Sequence, residues 1–427
     1  MGLDLTALAE LLGGEVSDVE RLLGGASRET WALQFDSRRL VVRCDPHGAP
    51  RAGAMRREAA LLVAAAAAGV PVPEVVAVRD DVMVVSRLDG ETLARRILRD
   101  ELYADARSRL VEQCGAALAR LHRDVTPPAD VPVDADPLRT LRAMLDTFGE
   151  PHPALELGLR RLADSRPEPV ARCVVHGDFR LGNLMVDANG LVGVLDWELA
   201  HVGDPVEDLG WLCVRSWRFG SLHPVAGVGS RDELLAAYAD AGGEKVDLPT
   251  LLWWELYGTV RWGVICVQQA AAHLSGAVCS VELAAIGRRT AEVELDVLEL
   301  IEPALVAEPV SAEIPLAHND SEPHDRPSAA ELLDAVADWT NGLDLSGHDA
   351  FLRRVATRVL ETVTREIALG PALAARHRDR LAALGVTSDA ELARLIRDGG
   401  VDPAVVRAVA EAVVDKVRVA DPSQLER

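Results

Sequence analysis

Four polar residues stand in a fixed order near the middle of the chain, within the segment 174–205 (VVHGDFRLGNLMVDANGLVGVLDWELAHVGDP). Asp178 follows His176 by two positions, and Asn183 follows Asp178 by five. Asp196 then lies thirteen positions beyond Asn183. Phosphoryl transfer needs a group that orients or deprotonates the attacking hydroxyl, oxygen ligands for Mg²⁺, and fixed cations around the phosphates. The segment offers candidates for the first two of these needs.

The simplest alternative is a polar turn that performs no chemistry. In that interpretation Asp178 and Asn183 satisfy backbone groups, and Asp196 caps a helix. A single Asp would fit this alternative, but the complete ordered set is not explained by it. The order is that of the catalytic-loop Asp, the loop Asn and the metal-binding Asp of kinases.

The same stretch resembles a known family. HGDFRLGNLMVD followed by VLDWELAHVGDPVEDLGW is closely similar to the aminoglycoside phosphotransferase-like family, and the resemblance extends from about residue 20 to residue 305. Members of that family have the protein-kinase fold and phosphorylate hydroxyl groups of small molecules. The resemblance therefore implies the same fold and an ATP- and Mg²⁺-dependent phosphotransferase with an alcohol group as acceptor.

The resemblance also implies roles for individual side chains of the central segment. Asp178 would be the catalytic base, and His176 would brace its loop. Asn183 and Asp196 would bind Mg²⁺, and Arg180 is a further candidate catalytic residue. Two more residues resemble the family's structural carboxylates, which hold the loop from the helix behind it: Asp204 and Asp208.

A kinase also needs a nucleotide-binding lobe upstream of this loop. The segment LLGGASRETW takes the place of the phosphate-covering hairpin, and its backbone N–H groups at Gly24, Gly25 and Ser27 could approach phosphate. A lone Gly-Gly pair is equally common in a simple turn, so the position of the segment matters more than the motif. The backbone from Ser86 to Leu88, in MVVSRLDGE, is expected to hold adenine.

The strand lysine of the kinase pattern is replaced in this chain. The first lysine is Lys245, and Arg43, in LVVRC, occupies the matching position. Arginine is always charged and binds phosphate with two nitrogens, so it can neutralise the α and β phosphates, although its planar head needs different space. Glu58, in the following helix, is the expected partner of Arg43, and the alternative is an exposed helix carboxylate. The replacement puts the nucleotide affinity in question but not the fold.

These residues require a small sheet followed by a helical region. WALQF, LVVRC and VMVVSRL are apolar, β-branched segments bounded by turn residues, and AMRREAALLVAAAAAG between them has helical composition. From Glu91 onward long helical patterns dominate, including one at LLWWELYGTVRWGVICVQQAAAHLSG and one at SVELAAIGRRTAEVELDVLELIE. We predict an α+β, protein-kinase-like bilobal fold, with a small β-rich lobe at residues 1–88 and a large helical lobe at residues 89–305.

A proline-rich segment separates this region from the rest of the chain. Five prolines without sustained periodicity between residues 303 and 327 predict a linker, at residues 306–325. A separate all-α accessory domain is expected at residues 326–427, and Ser328 with Glu331 forms a capping box at its first helix. No convergent cluster of titratable residues marks this domain, so its expected role is structural, oligomerising or substrate-gating, with a homo-oligomer as one interpretation.

Composition argues against several other classes of function. The formal net charge of −22 disfavours nucleic acid and anionic membranes as partners. The six cysteines are scattered, without CxxC or Cys/His spacing, which favours reduced thiols. The sequence has no GxxxxGK[ST], HExxH or GxSxG motif. Its N-terminus has no basic region or cleavable apolar core, so a cytoplasmic protein is expected.

The helical segment WWELYGTVRWGVICVQQAAAHLSG contains the candidate substrate residues Arg261, Gln268 and His273. Its face combines apolar area with few charges, which suits an acyl chain with an amide-bearing or anionic handle better than a polycationic aminoglycoside. The aromatic side chains at helical spacing are more often core than substrate contacts. A cation at Arg261 needs an anionic partner, either a protein carboxylate or the CoA and acyl groups.

That helix, the following SVELAAIGRR and the HGDFRLGN loop together resemble one branch of the family. Kinases of this branch are fused to or associated with acyl-CoA dehydrogenases and phosphorylate 4-hydroxyacyl-CoA in the catabolism of γ-hydroxy acids such as those derived from levulinate. Residues 326–420 resemble a small helical protein that works with such kinases. The resemblance implies a CoA thioester as the substrate. Two alternatives stay open: a kinase of aminoglycosides or other small molecules, and a catalytically weak, kinase-like binding protein, which the missing lysine would favour.

Overall fold

The computed structural model describes residues 3–22, 28–45, 53–304 and 327–426. Contacts along the backbone divide the chain into two compact units, Met1–Ala135 with Pro167–Glu255 and Asp136–Arg166 with Leu256–Arg427. The predicted proline-rich linker, residues 306–325, lies outside the described residues. Each compact unit is built from two stretches of sequence, and the units meet at residues 135/136, 166/167 and 255/256. The domain boundaries expected at residues 88 and 305 are a different division of the chain, and they stay predictions.

The first unit begins with a five-stranded antiparallel sheet in the order β1-β2-β3-β5-β4. Its strands are β1 (Val16–Leu22), β2 (Glu29–Phe35), β3 (Arg38–Cys44), β4 (Val75–Val78) and β5 (Val82–Ser86). The strands predicted at WALQF, LVVRC and VMVVSRL are confirmed as β2, β3 and β5. The sequence analysis did not indicate the two edge strands, β1 and β4. The hydrophobic pattern of β1 (VSDVERL) is weak, whereas β4 (VVAV) is apolar but only four residues long.

Two helices accompany this sheet, α1 (Leu5–Leu12) before β1 and α2 (Ala54–Ala67) between β3 and β4. The predicted helix at AMRREAALLVAAAAAG is confirmed as α2. Leu40 and Val42 on β3 point to one face of the sheet, where they join a buried cluster that includes Leu8 of α1. Arg43 points to the opposite face, because side chains alternate along a strand, and meets Glu58 of α2 there.

The rest of the first unit contains the central segment within a helical surround. Its elements are α3 (Ala94–Arg99), α4 (Ala104–Asp124), β6 (Cys173–Val175), β7 (Leu184–Asp187), β8 (Gly190–Val194), β9 (His201–Gly203), α7 (Val206–Cys213), α8 (Arg231–Asp240) and the first part of α9 (Leu248–Leu274). The short strands form two antiparallel pairs, β6 with β9 and β7 with β8. This arrangement confirms the predicted α+β architecture of a small sheet followed by a mostly helical region.

The second unit is helical throughout its described part. Its elements are α5 (Pro137–Phe148), α6 (Pro153–Asp164), the second part of α9, α10 (Val281–Arg288), α11 (Thr290–Ile301), α12 (Ala329–Asn341), α13 (Gly347–Ala383), α14 (Asp389–Arg397) and α15 (Pro403–Ala420). The predicted capping box begins α12, since Ser328 N donates to Glu331 Oε2 at 2.7 Å and Glu331 N donates to Ser328 Oγ at 3.4 Å. Among the helices described, none is both long and apolar enough to cross a membrane.

One predicted helix is divided in two, and another helix contains a proline. The single helix expected at residues 280–302 is divided into α10 and α11 near Arg289. There Arg289 N donates to Ile286 O at 3.0 Å, and Thr290 Oγ1 donates to Gly287 O at 2.8 Å, so the backbone tightens into three-residue turns. The long helix α13 continues through Pro371, which removes one backbone donor without ending it.

The C-terminal helices share one hydrophobic core with helices that precede the proline-rich segment. Its buried members are Ala154 and Leu157 of α6, Ala291, Leu295 and Leu298 of α11, Leu381 of α13, Leu392 and Ile396 of α14, and Val405, Val409, Ala410, Val413, Val414 and Val417 of α15. Ion pairs connect the same helices: Arg397 Nη2 lies 2.6 Å from Glu156 Oε1, and Lys416 Nζ lies 3.0 Å from Glu294 Oε2. The predicted all-helical C-terminal region is present, but it is not isolated from the preceding helices.

The shared core predicts that Ile396→Ala will loosen α6 as well as α14. Ile396 is fully buried in this core, and its truncation should cost about 2–5 kcal/mol of stability because a cavity remains. Hydrogen exchange followed by mass spectrometry should show faster exchange in both helices. Val401→Ala, at a position 39% exposed between α14 and α15, is the control and should change little. Faster exchange confined to α14 would contradict the shared core.

Candidate active site

The carboxylate of Asp178 is held by three donors. Its Oδ1 accepts hydrogen bonds from Arg180 Nε at 3.0 Å and from Trp211 Nε1 at 2.8 Å. Its Oδ2 accepts one from Asn183 Nδ2 at 2.5 Å. Each carboxylate oxygen can accept about two hydrogen bonds, so the remaining acceptor capacity is on Oδ2. The geometry fixes the carboxylate and presents one oxygen for a further donor.

His176 connects the loop of Asp178 to the strand that precedes Asp196. Its Nδ1 accepts from the backbone N–H of Asp178 at 3.1 Å, and its Nε2 lies 3.0 Å from Leu195 O. A carbonyl oxygen can only accept, so Nε2 carries the hydrogen and the ring is the neutral Nε2–H tautomer. The ring is fully buried and lies between the two segments, as the predicted bracing role requires.

Asn183 and Asp196 are brought together by the β7–β8 ladder. Leu184 pairs with Val194, and just beyond this pair Leu195 N donates to Asn183 O at 2.8 Å. Asp196 follows with a φ of 67°, a left-handed backbone that residues other than glycine seldom adopt and that clusters at functional sites. The ladder therefore fixes both predicted metal ligands next to each other.

The donor set suits magnesium. Mg²⁺ prefers carboxylate, amide and phosphate oxygens, and Asn183 uses its Nδ2 for Asp178, which leaves its Oδ1 as a ligand atom. Asp196 accepts from Arg43 on Oδ1, which leaves Oδ2 as a ligand atom. No group of three or more His, Cys, Asp or Glu side chains in the described ranges could hold a metal by itself.

A chain of alternating charges links β3 and α2 to the central segment. Arg43 pairs with Glu58 through Nη1, and its Nη2 lies 2.7 Å from Asp196 Oδ1. Glu58 also pairs with Arg28, whose Nε lies 3.2 Å from Asp45 Oδ1. Three carboxylates and two guanidinium groups give this chain one net negative charge, so an added cation would be favoured at its end. Burial lowers the pKa of Arg43, but Glu58 and Asp196 outweigh this effect and raise it above its ordinary value.

Two residues of this site were missed by the sequence analysis. Arg28 directly follows Ser27, within the segment expected to cover the phosphates, and nothing in its sequence neighbourhood indicates that it reaches Glu58. Trp211 lies within the motif VEDLGW, so its position was available as a signal, but its bond to Asp178 depends on tertiary contacts. The Arg180 guanidinium also lies 4.5 Å from the ring of Trp217, a cation–π contact.

Asp208 holds the backbone of the catalytic loop from α7. It accepts from His176 N at 2.7 Å and Gly177 N at 2.9 Å, and it bonds His122 Nε2 at 3.2 Å. Burial alone would raise the pKa of Asp208, but the bond with His122 and the nearby imidazoles lower it overall. Gly177 has a φ of 75°, and a Cβ there would come within 2.6 Å of Leu199 O, so the loop needs glycine at this point.

Asp204 serves a different segment from the one expected. It accepts from Val170 N at 2.8 Å and Val206 N at 3.0 Å. These bonds fix the chain before β6 and the start of α7. The resemblance grouped Asp204 with Asp208 as a support of the loop, whereas the observed loop contacts belong to Asp208.

The predicted adenine-binding segment is partly engaged in the sheet. Ser86 N donates to Glu74 O at 2.8 Å, and Ser86 Oγ accepts from Glu74 N at 2.9 Å. The N–H of Ser86 is therefore unavailable to adenine. Leu88 packs on β8, where a Cβ at Gly193 would lie 2.3 Å from Leu88 Cδ1, and its contact with adenine stays a prediction. The three residues expected to cover the phosphates lie outside the described residues: Gly24, Gly25 and Ser27.

The three candidate substrate residues lie on the part of α9 that belongs to the second unit. Arg261 and His273 are half-buried, and Gln268 is exposed. His273 Nδ1 accepts from Ser280 N at 3.1 Å, so this ring supports the turn before α10. Their substrate roles stay predictions.

Family comparisons match both parts of the chain. A model described as the phosphotransferase enzyme family matches residues 18–257. A model for a domain of unknown function (DUF6285) matches residues 344–424. The first match includes the sheet, Arg43 and the whole central segment.

Curated relatives and a solved structure extend this result. Acyl-CoA dehydrogenase family member 10 of Mus musculus is 26% identical over 245 residues, which is 53% of this chain and 22% of the relative. Acyl-CoA dehydrogenase family member 11 of Homo sapiens is 26% identical over 255 residues, which is 53% of this chain and 32% of the relative. The chain thus spans less than a third of either relative. A Ralstonia eutropha protein, provisionally assigned as an aminoglycoside phosphotransferase, aligns with a TM-score of 0.56 at 20% identity, over 70% of this chain and 98% of that chain, and this likeness shows the fold.

The contacts of Asp208 predict a stability effect with a defined pH dependence. Asp208→Asn should lower the free energy of unfolding by about 1–3 kcal/mol at neutral pH, because the amide accepts fewer of the buried hydrogen bonds. The folded-state pKa of Asp208 is lowered, so its carboxylate stabilises the fold above the unfolded-state pKa of about 3.9, and this contribution is lost as pH falls below it.

Urea unfolding of wild type and Asp208→Asn at several pH values measures this effect. The difference between the two should be largest near neutral pH and shrink in acid. Asp124→Asn is the control, because its carboxylate pairs with Arg123 at an exposed position, where ion pairs contribute little. A difference that grows in acid would contradict the assigned contacts.

Proposed function

Since the chain belongs to the phosphotransferase enzyme family, we propose that it transfers the γ-phosphoryl group of ATP, with Mg²⁺, to the hydroxyl group of a small molecule. The acceptor that we propose is a 4-hydroxyacyl-CoA. One observation carries the proposal: Asp178 lies in the same hydrogen-bonded constellation as Asn183, and Asp196 ends the ion-pair chain that contains Arg43. Such a constellation supplies a base, metal ligands and a phosphate cation together.

In the proposed reaction, Asp178 orients the acceptor. Its Oδ2 accepts the hydrogen of the substrate hydroxyl, while the hydroxyl oxygen attacks the γ-phosphorus and the bond to the β-phosphate oxygen breaks. Arg180 and Trp211 hold Oδ1, so the carboxylate cannot rotate to offer its other oxygen. The rate advantage comes from positioning, because phosphoryl transfer asks for little covalent chemistry from the protein.

Asn183 and Asp196 are the proposed ligands of magnesium, which would offset the charge on the transferred group when bound. In the structure, which holds no nucleotide, Arg43 contacts Asp196 through Nη2. We propose that Nη2 exchanges this carboxylate for an α- or β-phosphate oxygen as the nucleotide binds, which frees Asp196 Oδ1 for the metal. Glu58 stays paired with Arg43 through Nη1 and keeps the guanidinium plane in place.

The proposed acceptor rests on two kinds of support. The curated relatives carry the name acyl-CoA dehydrogenase, which suits a kinase that acts on acyl-CoA compounds. Arg261, on α9, is a half-buried cation, and we propose that it contacts an anionic group of the CoA or acyl moiety. We retain Gln268 and His273 as further proposed contacts, with Nε2 of His273 as the atom that can face a substrate, since Nδ1 is used by Ser280.

A kinase of aminoglycosides is the second candidate. It is favoured by the fold likeness to the Ralstonia eutropha protein, whose provisional assignment is to that activity. A likeness of fold leaves the acceptor open, because one fold supports many substrates. The two candidates share every residue of the phosphoryl-transfer site and differ only in the acceptor.

An acceptor panel tests the proposed function. ADP release should occur with ATP, Mg²⁺ and 4-hydroxyvaleryl-CoA, and it should be far slower with free 4-hydroxyvalerate or kanamycin. Asp178→Ala should abolish turnover while nucleotide binding, followed by calorimetry, is kept. Turnover with kanamycin alone would overturn the acceptor, and no turnover with any acceptor would favour a binding protein.

A second prediction concerns Trp211, whose indole N–H holds Oδ1 of Asp178. Trp211→Phe keeps an aromatic ring, although a smaller one, and removes one hydrogen bond to a charged group, which is worth about 1.5–3 kcal/mol. We expect kcat to fall by about 10- to 100-fold with little change in the KM for ATP. Trp253→Phe, at a buried position on α9 in the same unit, is the matched control. Equal losses in both variants would mean that the effect is one of packing.

A further inference from the structure

Helix α12 carries an apolar stripe that is exposed to solvent. Leu332, Val336 and Trp339 are spaced four and three positions apart, so they lie on one side of the helix. These residues are 54%, 47% and 66% exposed. Scattered single apolar residues are normal on a protein surface, whereas a contiguous group of large ones marks an interaction surface.

Another side of α12 packs on the first half of α13. The two helices run antiparallel, because Thr364 Oγ1 lies 3.3 Å from Asp334 Oδ1 and Arg353 Nη1 lies 3.3 Å from Asn341 Oδ1. The less exposed positions of α12, which face α13, each follow a residue of the stripe by one position: Leu333, Ala337 and Thr340. One position rotates a helix by about 100°, so the stripe lies about a quarter turn away from the contact with α13.

Helix α13 has a matching apolar stripe. Its side toward α12 includes Arg353 and Thr364. The positions that precede this side by one are again apolar, and they are half-buried or exposed: Leu352, Ala356, Val359 and Val363. Because the helices are antiparallel, the same displacement of one position places both stripes on the same side of the hairpin. The two stripes together are called the open face below.

The same side of α13 is covered further along the helix. Glu366 lies seven positions after Val359, which is about two turns, and therefore on nearly the same side. It pairs with Arg288 of α10 at 2.8 Å. The open face is thus the continuation of a side that packs on another helix, and it is suited to packing on helices itself.

The two outer edges of the open face carry opposite charges. Asp338 precedes Trp339 by one position and lies at the outer edge of α12, which has three acidic residues and no basic one. Arg358 precedes Val359 by one position and lies at the outer edge of α13. Both side chains are exposed. Neither is in a salt bridge with another described residue, although Asp421 is close enough to Arg358 to be affected by its charge.

Asp338 and Arg358 also lie at the same height along the hairpin. Asn341 meets Arg353, and Asp334 meets Thr364. In this antiparallel register each position further back in α12 corresponds to one position further on in α13. Asp338 is therefore level with Arg358, on the opposite edge of the open face.

We propose that the open face binds the open face of a second copy of this chain, so that two α12–α13 hairpins form a four-helix bundle. A two-fold axis parallel to the helices places α12 of each copy against α13 of the other. It keeps every residue at its own height, so Asp338 of each copy lies beside Arg358 of the other. A two-fold axis across the helices would instead place α12 against α12 and bring their acidic edges together, which is unfavourable. The proposed dimer does not depend on the proposed phosphoryl transfer.

Analytical ultracentrifugation of the full chain over a series of concentrations tests the dimer. We expect the wild type to sediment with twice the chain mass and Trp339→Glu to sediment as a monomer, because the variant places a charge within the apolar face. Leu222→Glu makes the same kind of change at a position 89% exposed outside the hairpin and should stay dimeric. Thermal unfolding verifies that both variants fold.

Two results of this experiment would overturn the proposal. A wild type that is monomeric at every concentration would assign the open face to another segment of the same chain or to a different protein. A Trp339→Glu variant that dimerises as tightly as the wild type would place the interface elsewhere.

A charge exchange tests which helices meet. Asp338→Arg and Arg358→Asp each bring like charges together at two places in the dimer, and each should raise its dissociation constant by about tenfold or more. The double variant restores opposite charges and should regain most of the wild-type affinity. A tighter dimer in Asp338→Arg would mean that α12 faces α12, and a double variant no tighter than the single ones would mean that the two edges do not meet. Either result would refute the proposed arrangement.

Discussion

The ion-pair chain from Asp45 through Arg28, Glu58 and Arg43 to Asp196 is the interaction on which the nucleotide side of the site depends. A buried charge is costly unless it is paired, and removing one partner leaves the other uncompensated. Glu58 has only 3% of its side chain exposed, so loss of either arginine partner would leave a buried carboxylate less compensated. The bond with Glu58 orients the guanidinium group of Arg43. Asp196 is the most exposed member of this ion-pair series, at 34%, and it is the proposed ligand of a metal ion.

Hydrogen bonds to backbone N–H groups hold the loop of Asp178, the residue proposed to orient the acceptor. Asp208 fixes the N–H groups of His176 and Gly177, and His176 in turn fixes the N–H of Asp178. The carboxylate of Asp178 is then held by side chains on a backbone that is already fixed. A site built in this order is preorganised, because each contacting side chain is itself positioned by buried neighbours. The two sides of the site meet through His176, which also bonds the carbonyl that precedes Asp196.

The sequence was sufficient for those residues whose spacing is set by local turns. Asp178, Asn183 and Asp196 fall within a single loop and ladder, so their separation along the chain nearly determines their separation in space. Arg28 and Trp211 could not be identified in this way, because they reach the site only through tertiary packing. The same reason explains why the sequence did not reveal that the N–H of Ser86 is bonded to Glu74 O. Spacing along the chain predicts which side chains meet where the contacts are local, and it misses contacts that come from neighbouring segments or distant helices.

The two regions that match different family models, residues 18–257 and 344–424, are parts of one chain, and this has a physical consequence. The phosphotransferase family match ends at residue 257, within the continuous helix α9, and the helices that follow bury Leu295 and Leu298 against α14 and α15. Without the C-terminal region these leucines would contribute to an exposed apolar face, which soluble proteins usually cover with a partner. If the two parts were separate chains, that face would be covered only by association, at a rate and occupancy set by concentration. Joining them in one chain replaces this association with an intramolecular contact at high effective concentration, so the shared core is complete in every molecule.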